Sequence, residues 1–304
     1  MRATAGLSAA GAVLVAVSFV LPDGSRNHDR PAHVLLIGID GLGAEGLRSA
    51  RTPSLRALIE SGSSTLSARA VIPTVSSPNW ASMISGAGPE QHGVTSNDWQ
   101  PNRHPIDPVA TDRAGIFPTM FGTLRHRMPD AAIGIVHEWD GLARLVEPGA
   151  ATFVQHEIDA NRTATAAAAF IRDRQPLLTM VHFDLVDHAG HDAGWLTPDY
   201  VRAIEKADAL VAALLAAVDG AGLRAHTMVI VSADHGGVGK GHGGLTRAEI
   251  EIPWIVDGPN VKRGHQIAAP VSTIDTAPTI LFALGVERPA VWIGRPVLDA
   301  FVNH

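Results

Sequence analysis

The chain predicts an α/β protein built on a mainly parallel sheet covered by helices. Three observations carry that expectation. Short β-rich apolar runs at residues 33–40, 131–137, 177–184, 227–234 and 252–257 alternate with segments of helical periodicity. The helical segments carry broad apolar stripes suited to covering a sheet. Acidic residues close several of the runs, at the carboxyl edge where open parallel sheets bind ligands.

Taken in order, residues 3–21 carry no charge and follow Arg2, the pattern of a short signal peptide, and residues 22–30 form a polar linker. The apolar run is nineteen residues, close to the length of a membrane span, so an uncleaved anchor is the alternative to cleavage. The expectation is an exported chain, extracytoplasmic or secreted, with residues 1–30 as address and linker and residues 31–304 as one domain. Residues 53–61 have helical spacing. Residues 198–218 place Val201, Ile204, Leu210, Val211, Leu214, Leu215 and Val218 on one stripe. Residues 163–174 and 276–284 are further helices, and the Pro- and Asp-rich residues 98–114 read as an irregular excursion.

Composition narrows the chemistry. At 304 residues with 46% hydrophobic and 18% charged, the chain is globular and long enough for a large core. A net charge of -6 gives no basic field for a phosphate backbone, so polymeric nucleic acid is not an expected partner. The absence of cysteine removes disulfides, thiolate metal sites and cysteine nucleophiles together. Any metal must be held by His, Asp or Glu, and fifteen histidines make that feasible.

Candidate ligands fall beside the ends of the β-rich runs: Asp40 in IGIDGLG, Asp187 and His191 in DHAGH, Asp234 and His235 in ADHGG, and His242 in GHGG. They sort into two sets of three. Imidazole nitrogen and carboxylate oxygen suit zinc, and a catalytic zinc keeps three protein ligands with one position open. The expectation is two divalent metal ions, zinc by this donor chemistry, although N and O donors also take manganese or iron. An Asp-Gly pair alone is more often a turn, and a lone histidine is as often structural as ligating. His182, inside a strand pattern, is assigned a core or supporting hydrogen bond, and His182 and His188 are left out of the ligand set.

The segment PTVSSPNW supplies a nucleophile. Pro78 is expected at the first position of a helix capped by Ser77, with Ser76 at its entrance. The positive helix end would hold a phosphoryl group while a metal lowers the pKa of the Ser76 hydroxyl. Asn97, in a turn, would donate its amide to a phosphoryl oxygen. The competing reading is that Thr74, Ser76 and Ser77 only cap and turn the chain.

With these residues in place, the chain resembles the alkaline phosphatase superfamily, most closely its type I phosphodiesterase and nucleotide pyrophosphatase branch. The resemblance spans about residues 33–284. IGIDGL resembles the first metal motif, PTVSSPN the P-T-x-T-x-P-N nucleophile motif, DHAGH the D-x-x-G-H motif and ADHGG the S-D-H-G motif. It implies an alkaline-phosphatase-like α/β/α sandwich. It also implies that Asp187, His191 and His242 hold one zinc, that Asp40, Asp234 and His235 hold the other, that Ser76 bridges them as nucleophile, and that Asn97 contacts phosphate. Ser76 stands where the branch commonly has threonine. Trp80 stands where the related sulfatase pattern C/S-x-P-x-R has arginine, which sets a sulfatase-like hydrolase well behind a phosphoric ester hydrolase.

No Lys-x-Arg pair follows the second β-rich run, where monoesterases of the superfamily often carry one, so phosphodiester or nucleotide pyrophosphate bonds are the expected substrates. The alternatives are a phosphomonoesterase, an alcohol-directed phosphotransferase and, outside catalysis, a zinc- or phosphate-binding module.

Overall fold

A computed structural model describes Met1 and residues 30–302; the proposed signal or anchor segment, residues 3–21, lies outside the described residues. Among the described residues, eight strands form one sheet: β1 (His33–Ile39), β2 (Ser63–Arg69), β3 (Ile133–His137), β4 (Phe153–His156), β5 (Leu178–Phe183), β6 (Thr227–Ser232), β7 (Glu251–Asp257) and β8 (His265–Gln266). Their order is β4-β3-β5-β1-β6-β7-β2-β8. Only β7 runs against the others, pairing antiparallel with β6 and β2. The sheet is therefore mainly parallel, as expected, and it is extended by three strands the sequence did not suggest: β2, β4 and β8.

The central strands are apolar because they are covered on both faces; β5 and β6 are buried along their whole length. Among the described residues, ten α-helices accompany the sheet: α1 (Ala44–Ser49), α2 (Pro53–Ser61), α3 (Ser76–Ser85), α4 (Pro89–His92), α5 (Met120–Arg127), α6 (Ala160–Arg174), α7 (Leu185–Ala193), α8 (Pro198–Gly220), α9 (Arg247–Ile250) and α10 (Thr276–Leu284). Helices α1, α2, α6 and α7 pack on the long helix α8, whereas α3, α4, α5 and α10 form a second group.

Two glycines show that these groups lie on opposite faces. The Trp80 ring of α3 packs so closely on Gly38 that a Cβ there would meet it at 2.4 Å, and Phe170 of α6 does the same at Gly134, at 2.3 Å. Gly38 is aligned with His182, which is aligned with His137, so these three face one side. Gly134, three residues before His137, faces the other. The result is the expected α/β/α arrangement. Among the described residues, no helix is long and apolar enough to cross a membrane.

The sheet register positions the site. Gly38 of β1 is flanked by His182 of β5 and Ser232 of β6. Two residues beyond that aligned row, the chain carries Asp40, Asp184 and Asp234. Three neighbouring parallel strands thus deliver an aspartate each to one edge, and the first turn of α7 adds Asp187.

Candidate active site

Gly41 is the pivot between the acidic groups. Its φ of +70° lies in the left-handed region, and a Cβ would meet Asp187 at 2.8 Å, so both backbone shape and space require glycine. Its N–H donates to Asp234 Oδ1 at 3.1 Å, while its carbonyl accepts from Trp195 Nε1 at 3.0 Å and the Tyr200 hydroxyl at 2.8 Å.

Asp40 and Asp234 each have one oxygen bonded and the other bare, and Asp187 has one oxygen approached by an imidazole and the other bare. Asp40 Oδ2 accepts from Trp80 Nε1 at 3.0 Å and lies 3.1 Å from His182 Nε2. Asp234 Oδ1 is taken by Gly41, and Asp187 Oδ2 lies 3.3 Å from His191 Nε2. Asp40 Oδ1, Asp187 Oδ1 and Asp234 Oδ2 are buried without a hydrogen-bond partner. His235 Nε2 stands 3.5 Å from Asp40 Oδ1 and 3.2 Å from Asp234 Oδ2, and His242 Nε2 stands 3.8 Å from Asp187 Oδ1.

The imidazoles are oriented by their far nitrogens. Nδ1 of His191 lies 3.0 Å from the Lys240 carbonyl, that of His235 2.9 Å from the Gly236 carbonyl, and that of His242 2.9 Å from the Thr74 carbonyl. A carbonyl can only accept, so each Nδ1 carries the hydrogen; His235 and His242 then turn Nε2 toward the bare carboxylate oxygens, and His191 turns Nε2 toward Asp187 Oδ2. Lone pairs facing carboxylates repel unless a cation sits between them. Orphaned oxygens and carbonyl-anchored histidines are what a divalent metal with N and O donors requires.

The electrostatics agree. Burial, with Asp234 close by, pushes Asp40 well above the usual carboxylate range, and burial, with Asp187 close by, does the same to Asp234. Asp187 is pushed up to about 9 by burial and then by Asp40 and Asp184. His235 is lowered by burial, and His242 is lowered to about 4 by burial and by His235. Without cations these acids hold protons; with cations they can be charged.

The candidate ligands read from the sequence meet at one edge, with a difference in grouping. Asp40, Asp234 and His235 form one compact set as expected. The compact set around Asp187 contains His235 and His242, with His191 approaching from the other carboxylate oxygen. A third set, Asp40, Asp184 and Asp187, includes Asp184, which sequence reading left out. The Asp184 backbone N–H bonds Glu138, and its carboxylate lies 3.1 Å from exposed His188. His182 supports Asp40, the role expected of it.

Ser76 begins α3, buried beside both compact sets, with Oγ 3.4 Å from His235 Nε2. The helix starts two residues earlier than expected: extended Val75 precedes it and Pro78 lies within the first turn, so Ser77 is not the cap. The Ser77 N–H is satisfied instead by Asn97 Oδ1 at 2.8 Å. That bond brings exposed Asn97 to the helix start and leaves its Nδ2 end as a donor. The serine loop is locked from both sides. Asn79 bonds Val71 N–H and the Val71, Pro73 and Val75 carbonyls, and Thr74 Oγ1 bonds the Gly244 carbonyl and Gly243 N–H.

Sequence reading also missed Arg144. Its guanidinium lies 5.5 Å from the Trp139 ring centre, bonds the Asn97 carbonyl, and places Nη2 3.3 Å from Ser77 Oγ. It lies seven residues beyond His137, the end of the second expected strand, outside the stretch where a cationic pair was sought.

At the carboxyl edge of the sheet a helix-start serine thus faces carboxylates and anchored imidazoles. Residues 34–239 match the model of the type I phosphodiesterase / nucleotide pyrophosphatase family, and the chain belongs to that family. The fold is similar to human ectonucleotide pyrophosphatase / phosphodiesterase 5, with a TM-score of 0.74 at 14% identity over 89% of this chain and 100% of that one. An inactive variant of the murine protein in complex with AMP superposes with a TM-score of 0.72 at 14% identity, over 84% and 96%. A 2-O GAG sulfatase gives 0.69 at 16% identity, over 88% and 73%. Among curated sequences, arylsulfatase K of Xenopus laevis is 30% identical over 112 residues, 34% of this chain and 21% of that protein. The 2,3-bisphosphoglycerate-independent phosphoglycerate mutase of Haloarcula marismortui is 28% identical over 172 residues, 53% and 31%. The matches thus span about a fifth to a third of these relatives' lengths.

Proposed function

We propose that the chain is an exported two-metal phosphoric ester hydrolase, comprising residues 31–304, that cleaves phosphodiester or nucleotide pyrophosphate bonds through a phosphoserine at Ser76. The observation that carries this reading is the Ser76 hydroxyl at a helix start, 3.4 Å from an imidazole nitrogen that also faces two bare carboxylate oxygens. Asp40, Asp234 and His235 would hold one ion; Asp187, His191 and His242 would hold the other. Two bound divalent ions, zinc by donor chemistry, would supply Lewis acidity that favours a charged serine oxygen and neutralises the developing charge.

Ser76 Oγ loses its proton to solvent and attacks phosphorus as the ester bond to the leaving oxygen breaks. The leaving group departs as an alcohol or phosphate. Water then attacks phosphorus, the bond to Ser76 Oγ breaks, and the hydroxyl is restored. The Ser76 N–H and the Asn97 amide would receive non-bridging oxygens, the Ser77 N–H being held by Asn97 Oδ1, and the Asn79 and Thr74 locks keep Oγ aligned. Export is supported by the uncharged run at residues 3–21.

Sulfate ester hydrolysis is a second reading, favoured by arylsulfatase K and steryl-sulfatase among the relatives. Against it, the position of the sulfatase arginine is Trp80, fully buried and bonded to Asp40. The zinc-loaded chain should hydrolyse bis(p-nitrophenyl) phosphate at least as well as p-nitrophenyl phosphate, and p-nitrophenyl sulfate at least about tenfold more slowly. A preference for the sulfate ester would overturn the proposal, and transfer to added alcohols in place of water would make the chain a phosphotransferase.

A further inference from the structure

We propose that Arg144 is a specificity-determining residue that reads the additional negative charge of a terminal phosphoryl group, giving the site a phosphomonoesterase capacity beside diester cleavage. The inference rests on the Ser76 reading and deepens it. Three features hold the guanidinium at the start of α3. Trp139 lies against it, the Asn97 carbonyl accepts from Nη2, and Ser77 Oγ lies 3.3 Å from the same nitrogen. Asn97 is itself fastened to the Ser77 N–H, so Arg144, Asn97 and the helix start form one polar cradle adjoining the Ser76 hydroxyl.

Nε of Arg144 is buried and has no hydrogen-bond partner. An unsatisfied guanidinium N–H beside the Ser77 hydroxyl and the Asn97 amide, which can also donate, is complementary to an oxyanion that would compete with the nearby carboxylates of Asp98 and Asp140. Charge decides which substrates benefit. A diester presents one negative charge to the site, whereas a monoester dianion presents a second that only a cation neutralises. The serine loop carries no cation from residue 70 to residue 97, so Arg144 supplies it.

The test compares the zinc-loaded full chain with Arg144→Ala and Arg144→Lys on p-nitrophenyl phosphate and bis(p-nitrophenyl) phosphate. Arg144→Ala should lower kcat/KM for the monoester about 30-fold or more, with diester cleavage changed less than about fivefold. Arg144→Lys should recover part of the monoester loss, because charge is restored without the planar fork. Equal losses on both substrates, or no loss on either, would overturn the proposal, since a residue that merely props Asn97 affects both alike.

Thermal protection by inorganic phosphate gives a readout independent of turnover. It should be present in the native chain and in Ser76→Ala and be lost in Arg144→Ala. Should the native chain cleave neither ester, the serine mechanism fails, and the protection measurement alone decides the role of Arg144: protection unchanged in Arg144→Ala refutes it.

Discussion

Replacing Ser76 by Ala should reduce turnover of a phosphodiester by about 10³-fold or more, with the melting temperature and metal content nearly unchanged. The size follows from the proposed chemistry: without the hydroxyl there is no phosphoserine, and only direct attack by water remains. Stability should change little because Ser76 is the first residue of α3 and caps no backbone group, while the loop is held by Asn79 and Thr74. Steady-state kinetics alongside thermal melts check both halves. Activity within tenfold of the native chain would remove Ser76 from the mechanism.

Metal removal should have an effect of comparable size, with turnover falling by about 10³-fold in chelator and returning with zinc. It should also leave a signature in stability. The folded, metal-free chain holds a proton on Asp187 up to about pH 9, because burial and the neighbouring Asp40 and Asp184 disfavour its charge, whereas the ordinary value is 3.8. Between those two values the folded state binds a proton that the unfolded chain has released, so this contribution to stability is lost as pH rises. His235 and His242 act oppositely: their lowered values make stability rise with pH, and that gain is complete by about pH 7. Melting in chelator should therefore occur at a lower temperature at about pH 9 than at about pH 7, and zinc should shrink or reverse the difference by taking the place of the proton. An increase in melting temperature over that interval in chelator would contradict this account of the carboxylates.

Much of this arrangement was legible in the sequence because it is local or periodic. The apolar runs that became β1, β5, β6 and β7 are continuous and end in aspartate, and parallel register carries Asp40, Asp184 and Asp234 to one edge without further information. Helix α2 was read at its observed bounds, since Pro53 begins it and Gly62 follows it. Strand β2 escaped notice because SSTLSAR is polar and owes its pairing to β7, and β4 and β8 are too short to show a period.

The clustering of the candidate ligands was legible in the sequence, and their supports were less so. The motif residues lie close in sequence to strand ends, but the donors that saturate Asp40 come from positions 40 and 142 residues away. Nothing in Trp80 marks it as a partner of Asp40, and only the close approach of its ring to Gly38 brings it there. Asp184 closes an expected strand, yet its part in a third acidic set depends on the turn into α7. Arg144 sits in a short 3-10 turn with no motif around it, and its nearness to the helix start is purely tertiary.

The central claim is a pocket for two cations around one serine oxygen, and metal stoichiometry tests it most directly. Inductively coupled plasma mass spectrometry of the zinc-equilibrated chain should find two ions per molecule, with Asp187→Ala and Asp234→Ala each losing one. A native chain that retains none, or variants that bind as much as the native protein, would contradict it.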